Sequence, residues 1–126
     1  MTTKDDRNLP LWVKPTTHAE LVDALTKSGA QLMDEQSPSY RHLNHMCLGL
    51  AGEVGELVDA IKRKTIYRKE LDLARVIEEL GGIEFYLEGI RVELGIARDT
   101  AIKAGIAKFN LWYPVGGYSG NKADKE

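Results

Sequence analysis

Cysteine is nearly absent: Cys47 is the only one in 126 residues, which excludes an internal disulfide and suits a reducing cytoplasm. Nor is there an excess of basic residues. Lys and Arg number 17 against 19 Asp and Glu, a formal charge of −2, so a general binder of nucleic-acid polymers is not expected. No apolar run approaches the ~20 residues that a membrane-crossing helix needs. The opening Met1-Thr2-Thr3-Lys4-Asp5-Asp6-Arg7 is too polar to lead a secretory signal. Strand alternation and solenoid-length repeats are lacking as well. These absences leave a soluble, cytoplasmic, helical domain, and the length suits one such domain with a modest core.

What is present is helical punctuation. Residues 1–15 carry two prolines and no sustained period, so they read as an N-terminal arm, pinned by Trp12. Thr17 with Glu20 then fits a capping box, in which each side chain satisfies the other's backbone N–H. Leu21, Val22, Leu25 and Leu32 give the following helix an apolar side, with Ser28-Gly29 as a point of interruption. Ser37 reads as an N-cap with Pro38 in the first helical position. From about 38 to 64, Leu43, Cys47, Leu50, Val54, Leu57, Val58 and Ile61 recur at three- and four-residue steps. This stripe marks Cys47 as a small buried hydrophobe.

Asp72 is a plausible N-cap for a third helix reaching Leu94. Its apolar positions are Leu73, Val76, Ile77, Leu80, Ile83, Leu87, Ile90 and Leu94, and Gly95 stops it. A fourth helix is expected from about Arg98 to Leu111, ended by Pro114 and Gly116-Gly117. Residues 120–126 read as a flexible tail. The short connections favour antiparallel neighbours. The expected fold is all-α, a four-helix core bundle spanning residues 16–119.

Five glycines lie inside these helices, next to glutamates: Gly49-Leu50-Ala51-Gly52-Glu53-Val54-Gly55-Glu56 and Glu78-Glu79-Leu80-Gly81-Gly82. An interior glycine costs about 1 kcal/mol relative to alanine, so close approach of two backbones is the expected return. Glu53 lies about 80° from the centre of its helix's apolar stripe, Glu56 about 60° further round, and Asp59 further toward solvent. An antiparallel neighbour can bring Glu79 level with both. Such carboxylates either form an ordinary solvated face or converge on a hard cation such as Mg²⁺, which takes oxygen ligands.

Other groups point less firmly. His42 and His45 share a face, but no third nitrogen or sulfur ligand follows. Gly49 to Gly55 is not a phosphate loop, since no Gly-Lys-Ser/Thr ends it and no strand precedes it. The basic run Lys62-Arg63-Lys64 with Arg68-Lys69 is either solvated surface or, beside a metal site, a phosphate holder. Lys103 and Lys108 invite the same two readings.

Leu48-Gly49-Leu50-Ala51-Gly52-Glu53-Val54-Gly55-Glu56-Leu57-Val58-Asp59, then Ile61-Lys62-Arg63-Lys64, then Glu78-Glu79-Leu80-Gly81, resemble the MazG-like, all-α nucleoside triphosphate pyrophosphohydrolases. Ile106-Ala107-Lys108-Phe109 with Tyr113-Pro114 is similar to that family's ending, so the resemblance covers roughly residues 38–119. It implies a four-helix core assembled as a homo-oligomer, dimer or tetramer. It also implies hydrolysis of a (deoxy)nucleoside triphosphate to the monophosphate and pyrophosphate with Mg²⁺, Mn²⁺ being an alternative. Glu53, Glu56 and Glu79 map onto the family's metal-holding, catalytic carboxylates.

The family's fourth ligand, an aspartate, falls on Gly82, for which Glu78 is the best local substitute. The family's asparagine falls on Gly105, and arginines expected nearby are replaced by Asn110 and Trp112. Lys108 and Lys64 would neutralise phosphates, and Tyr86, Trp112 or Tyr113 would stack on a base. The loss at Gly82 opens an alternative, a non-catalytic nucleotide binder acting as a sensor or sequestering protein.

Overall fold

Side-chain caps start four of the five helices among the residues that the computed structural model describes, 14–114. The first thirteen residues with Trp12, the pair Gly116-Gly117 and the 120–126 tail lie outside the described residues. Every element is helical: α1 (His18–Leu25), α2 (Gly29–Glu35), α3 (Pro38–Thr65), α4 (Leu73–Leu94) and α5 (Arg98–Trp112). No helix among the described residues is long and apolar enough to cross a membrane. The chain divides into two compact units, Met1–Tyr40 and Arg41–Glu126.

In the first unit, Thr17 and Glu20 form the expected capping box: the Thr17 hydroxyl accepts from the Glu20 N–H at 3.1 Å, and the Glu20 carboxylate accepts from the Thr17 N–H at 3.2 Å. The single helix expected after Thr17 is instead two. Ser28 and Gln31 form a second capping box, each accepting from the other's backbone N–H, and start α2 afresh. Lys27 and Glu35 are paired across α2. Leu25 and Met33 are exposed, and no residue of either helix is buried.

The second unit is organised by α4 and by α3 from Arg41 onward, the first turn of α3 belonging to the first unit. Ser37 Oγ accepts from the Tyr40 N–H at 3.2 Å at the head of α3, while Lys62, Arg63 and Lys64 occupy its last turn. Cations there oppose the negative end of the helix dipole. The chain turns at Arg68, which has φ 54°, a left-handed conformation that L side chains adopt at some strain. Asp72 Oδ1 then accepts from the Arg75 N–H at 3.1 Å and starts α4. Gly95, with φ 66°, ends it.

The two helices are antiparallel, because each step forward on α3 meets a step back on α4. His42 pairs with Glu93 at 3.3 Å, and Asp59 pairs with Arg75 at 3.1 Å. Between these ends, glycines set the separation. A Cβ on Gly89 would overlap Met46 Sδ, one on Gly49 would overlap the Tyr86 ring, and one on Gly82 would overlap the Glu53 carboxylate. Met46 and Ala60 are the buried residues of the described chain.

This contact corrects the expected core. The side of α3 that meets α4 carries Met46, Gly49 and Glu53, about a quarter-turn from the apolar stripe. Cys47, Val54, Val58 and Ile61 are therefore exposed, and Cys47 is not the buried hydrophobe that the periodicity predicts. Likewise α4 meets α3 through Gly82, Tyr86 and Gly89, leaving Leu73, Ile77 and Leu80 exposed. Seen from the N-terminus of α3, its stripe lies clockwise of the contact. On α4, which runs the other way, the stripe lies anticlockwise. Both stripes consequently open on the same flank of the pair.

Candidate functional site

Glu53 and Glu56 of α3 and Glu79 of α4 come together in the lower half of this helical pair. The Glu53 carboxyl faces that of Glu79. That contact, partial burial, and the charges of Glu79 and Glu56 push the Glu53 carboxyl above its ordinary value. The Glu79 side chain is only 15% exposed, whereas that of Glu56 is 60% exposed.

The space above Gly82 is filled. The Glu53 carboxylate occupies the volume that a side chain at position 82 would claim. Glu78, the expected substitute there, is exposed on α4, and no hydrogen bond or ion pair shown joins it to the cluster.

Arg75 is the group that the sequence reading missed. Its guanidinium reaches Glu56 at 2.7 Å, Asp59 at 3.1 Å and Glu79 at 3.5 Å. Two nitrogens of one planar fork thus serve carboxylates of α3, and the third faces the carboxylate one turn along α4. The hydrogen bonds to Asp59 and then Glu56 raise its already high pKa, so the group is a fixed cation. Asp59, set aside in the sequence as solvent-facing, belongs to the cluster. The Glu53-x-x-Glu56-x-x-Asp59 spacing was one signal for this, and the four-residue step from Arg75 to Glu79 was another.

The donor chemistry fits Mg²⁺, since every ligand is a hard carboxylate oxygen. The arrangement, however, is closed around a guanidinium. Among the described residues no three or more His, Cys, Asp or Glu side chains are spaced to hold a metal ion as they stand.

Next to the cluster is a cleft of about 170 Å³ lined by Ala60, Arg63, Lys69, Glu70, Asp72 and Arg75. Its walls come from the last two turns of α3, the connector and the start of α4. The Lys69 N–H donates to the Arg63 carbonyl at 3.0 Å, which closes the connector back onto α3. Three of its six lining side chains are cationic, and Arg75 belongs to both cleft and cluster. Part of the basic run thus lies beside the carboxylates.

The remaining candidates are dispersed. Lys64 is exposed in the last turn of α3. Lys108 of α5 lies over the Trp112 ring, 4.4 Å from its centroid, and Trp112 meets Phe109 edge-on at 5.7 Å. Tyr113 caps the end of α5. Tyr86 packs edge-on against Phe85 at 5.1 Å and covers Gly49, which makes it a helix-packing residue. Lys103 pairs with Asp99 at 2.8 Å along α5. No family model, curated protein or solved structure matches the chain.

Proposed function

We propose that this chain is a Mg²⁺-dependent nucleotide pyrophosphohydrolase, cleaving a (d)NTP to the (d)NMP and pyrophosphate, of the MazG-like type that its motifs resemble. The observation that carries the reading is the meeting of Glu53 and Glu56 with Glu79 beside the cleft lined by Arg63, Lys69 and Arg75. Acidic groups and phosphate-binding cations are needed side by side in phosphoryl chemistry.

In this reading Glu53, Glu56 and Glu79 hold the metal, which when bound neutralises phosphate charge and makes water more acidic. Arg63 and Lys69 bind the oxygens of the leaving pyrophosphate. The water oxygen bonds to the phosphorus next to the sugar as the bridging P–O bond breaks. Incubation of the purified protein with each triphosphate and Mg²⁺ should release pyrophosphate. Absence of release from any of them, with Mn²⁺ substituted and incubation prolonged, overturns the assignment.

A second reading, a nucleotide sensor or sequestering protein without turnover, is favoured by two observations: the bare Gly82, and the guanidinium seated among the carboxylates. It predicts that a bound nucleotide is recovered unchanged and that Gly82→Asp confers turnover. We further infer a homo-oligomer in the cytoplasm. Its support is the apolar flank on which Val58 and Ile77 are 58% and 61% exposed, together with the lone unpaired thiol.

A further inference from the structure

The formal charge of −2 conceals a separation of charge along the chain. Lys62, Arg63, Lys64, Arg68 and Lys69 place five cations within eight residues, with no acidic residue among them. The rest of the chain then holds 12 cations against 19 acidic residues. Among the described residues none of the five pairs with a carboxylate, whereas Lys27, Arg75, Arg91 and Lys103 all do. Every residue from 61 to 74 is exposed. Three successive helix positions point about 100° apart, so Lys62, Arg63 and Lys64 ring the end of α3. The connector folds back on that end: the N–H groups of Ile66, Arg68 and Lys69 donate to the carbonyls of Lys62, Lys64 and Arg63 at 2.9, 3.2 and 3.0 Å. This turn, closed at Arg68 with φ 54°, presents Ile66 and Tyr67 between the two groups of cations, 66% and 59% exposed. Glu70 and Asp72 follow, and Asp72 also caps α4. Five cations less these two carboxylates leave residues 62–72 with a net charge of +3. Asp59 and Glu56, one and two turns back along α3, are engaged by Arg75.

We propose that this end of the helix pair is a docking surface for an anionic lipid bilayer, on which the chain lies without crossing it. Ile66 and Tyr67 enter the headgroup boundary, and the five cations meet the lipid phosphates. Stable peripheral binding takes two signals, an apolar insertion and a polybasic cluster, and this turn carries both. Lys and Arg stems lie along apolar surface while their charged heads stay in water, and a tyrosine ring suits the same interface. A single-stranded nucleic acid fits less well, because it needs rings on which successive bases stack. Tyr67 is the only ring between 61 and 74, and the other exposed apolar groups near it, Ile66, Leu71 and Leu73, are aliphatic. The surface draws on no nucleotide chemistry and stands or falls apart from the pyrophosphohydrolase reading.

The test uses the full chain with two kinds of vesicle, phosphatidylcholine alone and equal parts phosphatidylcholine and phosphatidylserine. Partitioning is read by co-sedimentation. Each net positive charge near an anionic surface strengthens binding about fivefold, so the wild type should prefer the mixed vesicles about a hundredfold at low salt. That preference should fade toward about 1 M salt, where the screening length is about 3 Å. Lys62→Gln with Arg68→Gln should weaken binding to mixed vesicles about 25-fold. Ile66→Ser with Tyr67→Ser should weaken it about tenfold or more. In the wild type, the amide resonances of residues 62–71 should broaden first as mixed vesicles are added, a readout that needs no variant. Equal partitioning to both vesicles overturns the proposal, as does broadening that begins elsewhere or binding that survives both double substitutions. Binding to a single-stranded oligonucleotide without binding to vesicles also overturns it and moves the surface to nucleic acid. Should a variant not fold, the wild-type vesicle comparison and resonances decide the matter by the same criteria.

Discussion

The carboxylate of Glu53 rests on the bare backbone of Gly82, inside the volume that any larger residue at that position would need. Glycine at 82 is therefore what allows Glu53 to reach across toward Glu79. Gly82→Ala should dislodge the far end of the Glu53 side chain, which is flexible, and not the helix. The alanine gains about 1 kcal/mol of helix propensity, so net stability should change by less than about 1 kcal/mol. The informative change is electrostatic. A ¹³C titration of the Glu53 carboxyl should show its pKa falling back toward the ordinary value, and an unchanged titration would refute this linkage.

The raised pKa of Glu53 has a stability consequence with a definite sign. Glu53 titrates above 4.5 in the folded chain because the contact with Glu79, burial and the Glu79 and Glu56 charges disfavour its ionised form. A group with a raised folded pKa binds its proton more tightly when folded. Its contribution is complete below about 4.5 and is lost as pH rises through the folded value. The positive Arg75, facing Glu56 and Glu79, softens the loss without reversing it. Glu53→Gln keeps a donor at every pH. Urea midpoints should therefore show the variant gaining on the wild type as pH rises from about 4 to about 8. A constant difference would remove the raised Glu53 titration from the account.

Helix boundaries were legible because caps are local chemistry. Thr17 with Glu20, Ser37-Pro38, Asp72 and Gly95 each lie where the sequence pattern places them. Ser28 with Gln31 follows the same rule and divides α1 from α2, a signal present but not given its weight. What the sequence did not disclose was the rotation of α3 against α4. Periodicity marks the most apolar face, and the usual inference is that this face meets the nearest neighbour. Here Gly49, Gly82 and Gly89 fix the approach instead, because backbones come closest where side chains are missing. For the same reason the shared face of Glu53 and Glu56 was legible and the approach of Arg75 was not. The three-residue step places Glu56 and Asp59 on one face, and the four-residue step does the same for Arg75 and Glu79, but which side chain of α4 meets the α3 carboxylates depends on tertiary register.

Not all the glycines serve that approach, and the difference is measurable. A Cβ on Gly49 would strike the Tyr86 ring, which is held against Phe85. Gly49→Ala should destabilise the chain by about 1–2 kcal/mol, since overpacking outweighs the gain in propensity. Gly52, Gly55 and Gly81 have nothing within 4 Å of a Cβ position. Alanine at each should stabilise by about 0.5–1 kcal/mol. Denaturant unfolding of the four variants checks this, and a loss at Gly52 or Gly55 would place an unseen partner against that face.

Cys47 reports on the apolar flank. It is exposed on the same stripe as Val54, Val58 and Ile61, next to the parallel exposure of Leu73, Ile77 and Leu80 on α4. A monomer seldom leaves more than a few hundred Å² of contiguous apolar surface in water, and burying about 800 Å² per partner is typical of a stable association. If a second copy covers this flank, the thiol should react rapidly with a soluble disulfide reagent in dilute protein and slowly in concentrated protein. The crossover should follow the dissociation measured by sedimentation. Val58→Asp with Ile77→Asp should then yield a monomer whose Cys47 reacts rapidly at every concentration, because charges on the flank cannot be desolvated without partners. Reactivity independent of concentration in the unaltered chain, combined with a sedimenting oligomer, would move the interface to another face.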